Sequence, residues 1–226
     1  MESWLFLEND RCPPAWNMAC DEWLLIHAER FAQPILRMYG WDRPSVTIGY
    51  FQPFPTEIPK RYTVIRRPTG GALVVHDSDL TFTVILPPDH SWRELSVFER
   101  YEWVHARIGK VFESKGIDFS LADQGAALSV RGSVGSHCFQ KSSRYDVLVS
   151  GMKVAGGAQR ITRKGLLHQG SIQGEGSPRV SPEELRRAWQ TCGARFTDLN
   201  LTPNDETSIS DLATCKFATD AWNRRI

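Results

Sequence analysis

Residues 64–86 read Val-Ile-Arg-Arg-Pro-Thr-Gly-Gly-Ala-Leu-Val-Val-His-Asp-Ser-Asp-Leu-Thr-Phe-Thr-Val-Ile-Leu, and this stretch restricts the fold more than any other. Two β-rich apolar segments, residues 63–66 and 72–76, flank Pro68-Thr69-Gly70-Gly71, and a third, residues 80–86, follows at once. Adjacent glycines between strands allow positive φ and let a ligand come close to bare backbone N–H groups. Arg66, Arg67 and Thr69 supply donors for a carboxylate, a phosphate or an acyl carbonyl. His76-Asp77 then closes a strand with a titratable pair. The plainer alternative is a Gly-Gly hairpin whose arginines face water.

A second Gly-rich stretch shifts the balance: Ser150-Gly151-Met152-Lys153-Val154-Ala155-Gly156-Gly157-Ala158-Gln159. One lysine sits there among small and apolar neighbours, where loss of water makes an ammonium chemically useful. Together the two stretches resemble the lipoate-protein ligase A and octanoyltransferase family, whose members carry Arg-Arg-x-x-Gly-Gly, then His-Asp, then Gly-x-Lys-x-x-Gly. Further matches are Asn17-Met18-Ala19-Cys20-Asp21-Glu22, Leu36-Arg37-Met38-Tyr39-Gly40-Trp41, Ser45-Val46-Thr47-Ile48-Gly49-Tyr50-Phe51-Gln52 and Asp220-Ala221-Trp222-Asn223. They occur in family order and cover nearly the whole chain.

At 226 residues the chain suits one domain, expected to span residues 1–226 with no C-terminal accessory domain. Its 27 basic and 26 acidic residues give no field that would favour nucleic acid. No apolar run reaches membrane-spanning length, and Met1-Glu2-Ser3-Trp4 does not open a signal peptide. The five cysteines (Cys12, Cys20, Cys138, Cys192, Cys215) are scattered without a C-x-x-C pair, which argues against structural zinc and a disulfide framework and for a cytoplasmic setting.

In chain order, residues 3–7, 35–39 and 46–51 read as strands, the last two joined by a turn at residues 40–44. Helices are expected over residues 15–29, 96–114, from Ser181-Pro182, and over 207–217. In the second, Val97, Tyr101, Val104, Ile108 and Val111 form the apolar stripe, and His105 beside it reads as a structural histidine. Residues 119–121 read as a short strand, and after a Gly/Ser/Ala-rich loop over residues 123–136, residues 145–150, 154–159 and 166–172 suggest a second group of antiparallel strands. Strands and helices do not alternate regularly, so the expected class is α+β, with mostly antiparallel sheets flanked by helices. The resemblance implies the biotin/lipoate ligase type of that class.

Cys138 is the sharpest single-residue candidate, since a thiol near a cation gains thiolate character and attacks thioesters. The resemblance supports it: one octanoyltransferase branch carries a nucleophilic cysteine in a Cys-Phe motif ahead of Gly-x-Lys, and Cys138-Phe139 matches. Cys192-Gly193, similar to the Cys-Gly of the other branch, is the competitor, and His137 is a candidate base. Lys153 would donate to the oxygen where negative charge develops. Arg67, Thr69, Gly70, Gly71, His76, Asp77, Gly156, His168 and Gly170 complete the candidate substrate site. His168-Gln169-Gly170 departs from the family pattern of His directly before Gly, so either His168 or Gln169 lines the pocket. No metal ligand set is expected.

Three readings follow from the resemblance. In the first, the protein moves an octanoyl (or lipoyl) group from acyl carrier protein to a lysine of a lipoyl-domain protein, a 2-oxoacid dehydrogenase E2 subunit or the glycine cleavage H protein. A Cys138 thioester is the intermediate, no cofactor is required, and neither nucleic acid nor membrane takes part. In the second, an ATP- and Mg2+-dependent lipoate-protein ligase acts through lipoyl-AMP. Ligases carry a third glycine and a Gly-Asn after His-Asp, where this chain has Ala72 and Ser78-Asp79-Leu80-Thr81. The third is a non-catalytic binder of acyl chains or lipoyl domains, which the presence of Arg67, His76, Cys138 and Lys153 disfavours.

Overall fold

The computed structural model describes residues 1–123, 143–173 and 179–226. Its centre is an eight-stranded sheet. Across it lie β11 (Ala194–Asp198), β1 (Glu2–Cys12), β2 (Ile35–Trp41), β6 (Leu80–Leu86), β10 (Gly165–Ile172), β9 (Met152–Thr162), β8 (Val147–Val149) and β7 (Phe119–Leu121). The two β1 ladders are parallel and the rest antiparallel. A second sheet of three strands has β3 (Ser45–Ile48) between β4 (Thr63–Arg66) and β5 (Val74–His76), parallel to the first and antiparallel to the second.

Strand alternation gives the large sheet two apolar faces. On one, Leu36, Met38, Phe82, Val84, Leu86 and Leu166 pack against α3 (Val97–Ser114) and α4 (Pro182–Thr191) through Val104, Ile108, Phe112, Leu185 and Trp189. On the other, Ile35, Tyr39, Ile85 and Leu167 meet α1 (Pro14–Ile26) and α5 (Pro203–Leu212) through Met18, Leu24, Leu25 and Ile209. Both faces of the central strands are therefore dry, as in an α+β layered domain. Among the described residues, no helix is long and apolar enough to cross a membrane.

Helix starts follow local chemistry. Ser96 with Glu99, Ser181 with Glu184 and Thr202 with Asp205 each form a reciprocal capping box, and prolines occupy the first turn of α1, α4 and α5. Three expectations need correction. The strand expected over 46–51 ends at Ile48, because the Gln52 N–H donates to the Gly49 carbonyl at 3.0 Å and the Gly49 N–H to Gln52 Oε1 at 2.8 Å, closing a turn. The Gly-Gly segment is no hairpin: β4 and β5 never pair with each other, since β3 lies between them. The final helix begins at Pro203, four residues before the expected start, and passes through a π turn over Ala213–Phe217. Its signal, Thr202-Pro203 with acidic residues following, has the same grammar as Ser181-Pro182.

Candidate active site

The two sheets enclose a cavity of about 220 Å³. Its floor comes from strands of the large sheet: Tyr39 and Trp41 on β2, Thr81 on β6, Gln169, Gly170 and Ser171 on β10, and Gly156, Gly157 and Ala158 on β9. Its other wall comes from the small sheet and the Gly-Gly loop, with Thr47, Arg67, Gly71, Ala72, Val74 and His76. Met18 of α1 and Lys153 also line it. Two glycines of the floor clear space on its opposite, α3 face. A Cβ on Gly170 would lie 2.2 Å from the Phe82 ring, and one on Gly157 would lie 2.3 Å from His168 Nε2.

Lys153 reaches over Gly156 to meet Asp146, Nζ to Oδ2 at 2.8 Å, with the two side chains only 7% and 1% exposed. A Cβ on Gly156 would sit 2.6 Å from Lys153 Cε and 2.7 Å from Asp146 Oδ1, so the glycine makes the space this pair occupies. Asp146 Oδ2 also accepts the Ser143 N–H at 2.6 Å. A buried ammonium held by a carboxylate at the rim of an apolar cavity is a fixed positive charge facing the space where an acyl oxygen could lie.

Arg67 folds back on its own loop. Its guanidinium donates to the carbonyls of Gly70 at 2.6 Å, Ala72 at 2.7 Å and Thr47 at 3.3 Å, and to Thr47 Oγ1 at 3.2 Å. Gly71 takes φ +86°, a conformation side chains disfavour, and a Cβ there would press within 2.8 Å of the Arg67 guanidinium. Thr69 donates to Gln169 Oε1 at 2.7 Å, while Gln169 Nε2 donates to Asp21 Oδ2 at 2.7 Å. Asp21 accepts in addition from Arg37 at 2.6 Å, Tyr39 at 2.9 Å and Thr83 at 2.9 Å. The Gly-Gly loop, β10 and α1 are thus tied by one buried network in which every bond uses a charge or an amide with both ends satisfied.

His76 stacks on Trp41 with ring centroids 4.1 Å apart. Its Nδ1 lies 2.7 Å from Asp79 Oδ2 and its Nε2 lies 2.9 Å from Thr47 Oγ1. Burial by itself would push the Asp79 carboxyl up, but the His76 imidazole and hydrogen bonds from His76, Ser171 and Thr81 outweigh it and hold it below the usual carboxylate value. Trp41 Nε1 donates to Thr81 Oγ1 at 2.8 Å, and Thr81 Oγ1 donates to Asp79 Oδ2 at 3.0 Å, so the wall at this end is one hydrogen-bonded unit.

Of the residues singled out from sequence, Arg67, Gly71, His76, Lys153, Gly156 and Gly170 come together around this cavity. Thr69 acts one step back, through Gln169, and Gly70 gives its carbonyl to Arg67 without lining the cavity. Two assignments need correction. Asp77 is exposed and accepts from Tyr62 at 2.8 Å, because the carboxylate His76 meets is Asp79, where the chain turns into β6. His168 points away from the cavity and Gln169 into it. Leu166, His168, Gly170 and Ile172 alternate with Leu167, Gln169 and Ser171, and the apolar members Leu166 and Ile172 put His168 on the α3 face. There it packs against Tyr101 and His105, and burial drives its pKa well below the usual value. Cys138 and His137 lie outside the described residues. Cys192 caps the C-terminal end of α4 and does not line the cavity, and Cys20 is buried with its thiol pushed up to about 12 by burial.

The sequence reading passed over Asp146 and Asp79 as members of the site. Asp146 had a signal, a carboxylate opening the apolar run Val147-Leu148-Val149 just upstream of Lys153. Among the described residues, no group of three or more His, Cys, Asp or Glu side chains converges as a metal site would require.

A family model for the lipoyl protein ligase A/B catalytic domain matches residues 13–211. The chain belongs to that family. Among relatives of this lipoyl protein ligase A/B catalytic domain, the octanoyltransferase LipM of Halalkalibacterium halodurans is 31% identical over 278 aligned positions that take in 100% of both chains. The octanoyltransferases LipM of Geobacillus kaustophilus and Bacillus subtilis are 38% and 36% identical over 181 positions, covering 76% of this chain and 65% of each relative. This chain therefore spans 65% of the length of those two proteins in the matched alignments. The fold is shared with a lipoate protein ligase from T. acidophilum with bound lipoic acid, at TM-score 0.77, 23% identity and 100% coverage of both chains. It is shared equally with lipoate-protein ligase A bound with ATP, at TM-score 0.77, 23% identity and 99% coverage of each.

Proposed function

We propose that this protein moves an octanoyl group from a carrier-protein thioester to the ε-amine of a lysine on a lipoyl-domain protein. The chain is an acyltransferase of the lipoyl protein ligase A/B type. The observation that carries the reading is the buried Lys153–Asp146 pair set at the edge of an apolar, glycine-floored cavity. A medium-length acyl chain fits such a cavity with its carbonyl toward the ammonium, while Gly157 and Gly170 make room for His168 and Phe82 to pack behind its floor. Trp41, Tyr39 and His76, in ring contact through Trp41, give the cavity an aromatic lining.

The Cys138 thiolate attacks the octanoyl thioester of acyl carrier protein. Its sulfur–carbon bond forms, and the carrier's sulfur–carbon bond breaks to release the carrier thiolate, which takes a proton from solvent. The neutral amine of the acceptor lysine then attacks the Cys138 thioester, forming the amide, expelling the Cys138 thiolate and giving up one proton to solvent. In both steps negative charge builds on the acyl oxygen, and the Lys153 ammonium stabilises it. Asp146 holds that ammonium, and Arg67 keeps the Gly-Gly loop in shape by saturating its carbonyls. The acceptor is a 2-oxoacid dehydrogenase E2 subunit or the glycine cleavage H protein, the setting is cytoplasmic, and no nucleotide or metal takes part.

The test weighs the intact protein after incubation with octanoyl carrier protein, and separately with octanoate and ATP. One octanoyl adduct from the carrier alone, cleaved by hydroxylamine and missing in Cys138→Ser, is the expected result. An adduct that needs ATP replaces this reading with adenylation. One that survives Cys138→Ser and disappears in Cys192→Ser moves the nucleophile to Cys192.

A further inference from the structure

Behind the pocket floor, on the face away from the cavity, His105 of α3 is fully buried, and its Nδ1 lies 2.7 Å from the Tyr145 carbonyl oxygen. A carbonyl oxygen only accepts, so Nδ1 carries the proton. Nε2 is then a bare acceptor, and among the described residues it has no partner. Burial lowers the pKa of this imidazole below the usual histidine value, which agrees with a neutral ring.

The carbonyl it holds belongs to an unusual residue. Tyr145 has φ +70°, a left-handed conformation that a bulky side chain disfavours, and its N–H donates to the Ala122 carbonyl at 2.7 Å. The next residue is Asp146, whose carboxylate holds Lys153 at 2.8 Å. Asp146 is tied to the same segment by its own backbone, its carbonyl accepting from Ala122 at 2.8 Å and its N–H donating to Ser143 at 3.1 Å. A strained residue persists only where its surroundings over-determine it, and here the helix supplies one of the fixings.

We infer that His105 is a positioning residue for the proposed acyl transfer: through the Tyr145 carbonyl it sets Asp146, and through Asp146 it sets the Lys153 ammonium. The inference rests on the proposed role of Lys153 and adds a residue that touches neither substrate nor reacting atoms. Without the imidazole, a partly buried carbonyl loses its donor, and the turn that presents Asp146 is free to relax toward an ordinary backbone conformation. The reading of His105 as purely structural is thereby refined, since its hydrogen bond ends one residue from the partner of Lys153.

The experiment compares wild type, His105→Leu and His105→Asn. Lysine reactivity is measured by reductive methylation with formaldehyde and cyanoborohydride and mapped by peptide mass spectrometry. Octanoyl transfer is followed on the same preparations. The Asn side chain places an N–H near the Nδ1 position and restores the bond, whereas Leu fills the space without a donor. In His105→Leu, methylation of Lys153 should rise several-fold, up to about tenfold, relative to Lys216 in the same sample, the factor set by the loss of one hydrogen bond. Transfer should fall in kcat with KM nearly unchanged, and His105→Asn should return both towards wild type. Equal Lys153 reactivity in His105→Leu and wild type overturns the inference, as does a His105→Asn that behaves like His105→Leu. If His105→Leu fails to fold, His105→Gln replaces it: its amide lies near the Nε2 position, and Lys153 reactivity close to that of His105→Asn then overturns the inference. A wild type that transfers no octanoyl group defeats the proposed function by itself, while the methylation map still decides the role of His105.

Discussion

Replacing Gly156 by alanine adds one methyl group where the structure leaves no room for it. The new Cβ would lie 2.6 Å from Lys153 Cε, 2.8 Å from Lys153 Nζ and 2.7 Å from Asp146 Oδ1, well inside the 3.4 Å at which ordinary contact begins. Asp146 is anchored at Oδ2 by the Ser143 N–H, so the lysine, the far end of a flexible side chain, is the group that moves. A shift of most of an ångström in a catalytic group costs about a hundredfold in rate, comparable with the loss of an oxyanion donor. Stability should change far less. Alanine in place of glycine within a strand gains roughly 0.5–1 kcal/mol, and crowding a buried site costs roughly 1–3 kcal/mol. The net is a destabilisation of up to about 2 kcal/mol, so the melting temperature should fall by no more than roughly 8 °C for a chain of this size. The assay pairs a thermal melt with the rate of octanoyl transfer from carrier protein to a lipoyl domain. A kcat within about threefold of wild type would refute the placement of Lys153 at the reacting carbonyl. A collapse in stability with kcat kept in the folded fraction would show that Gly156 serves packing alone.

Lys153→Ala should fold and lose transfer activity by on the order of a hundred- to a thousandfold, and Lys153→Arg should fail too, because a planar guanidinium does not fit the place of a compact ammonium; activity within a few-fold of wild type in the alanine variant would remove the residue from the site. Gly71→Val forces a branched side chain into φ +86° against the Arg67 guanidinium, so turnover should vanish while the melting temperature drops only a few degrees, and retained turnover would show that the loop backbone does not meet substrate. Acid stability should carry the signature of the buried histidines. His105 and His168 have folded-state pKa values below the ordinary 6.5, so the unfolded chain binds more protons as pH falls beneath that value. Their stabilising contribution is complete above pH 6.5 and is lost as pH drops toward their folded values, and denaturant titrations of His168→Phe should show a flatter decline over that window than wild type.

Much of this protein was legible in the order of its residues. The apolar periodicity from Val97 to Val111 and the capping grammar of Ser181-Pro182 located two helices, and runs of β-branched and apolar residues located β2, β4 and β6. These signals are local: a cap or an alternation is satisfied within one turn or one strand, so neighbouring residues suffice to reveal it. The two Gly-rich motifs likewise marked Arg67, Gly71, Lys153 and Gly156 before any contact was known, because a glycine pair beside a lone cation is informative by itself.

Contacts between distant segments were decided only by the folded chain. Inserting β3 between β4 and β5 turned an apparent hairpin into a cavity wall, since strand order depends on pairings among segments far apart in sequence. Whether His168 or Gln169 faced the cavity depended on which side of β10 met α3, and the packing of Leu166 and Ile172 against the core settled it. Asp146 and Asp79 became partners of Lys153 and His76 through turns whose backbone paths their own residue types do not dictate. Sequence thus determined the kinds of group available and the local elements that carry them. Tertiary structure decided which groups share a buried space, because the energy of a buried charge depends on what the fold brings within about 3–4 Å of it.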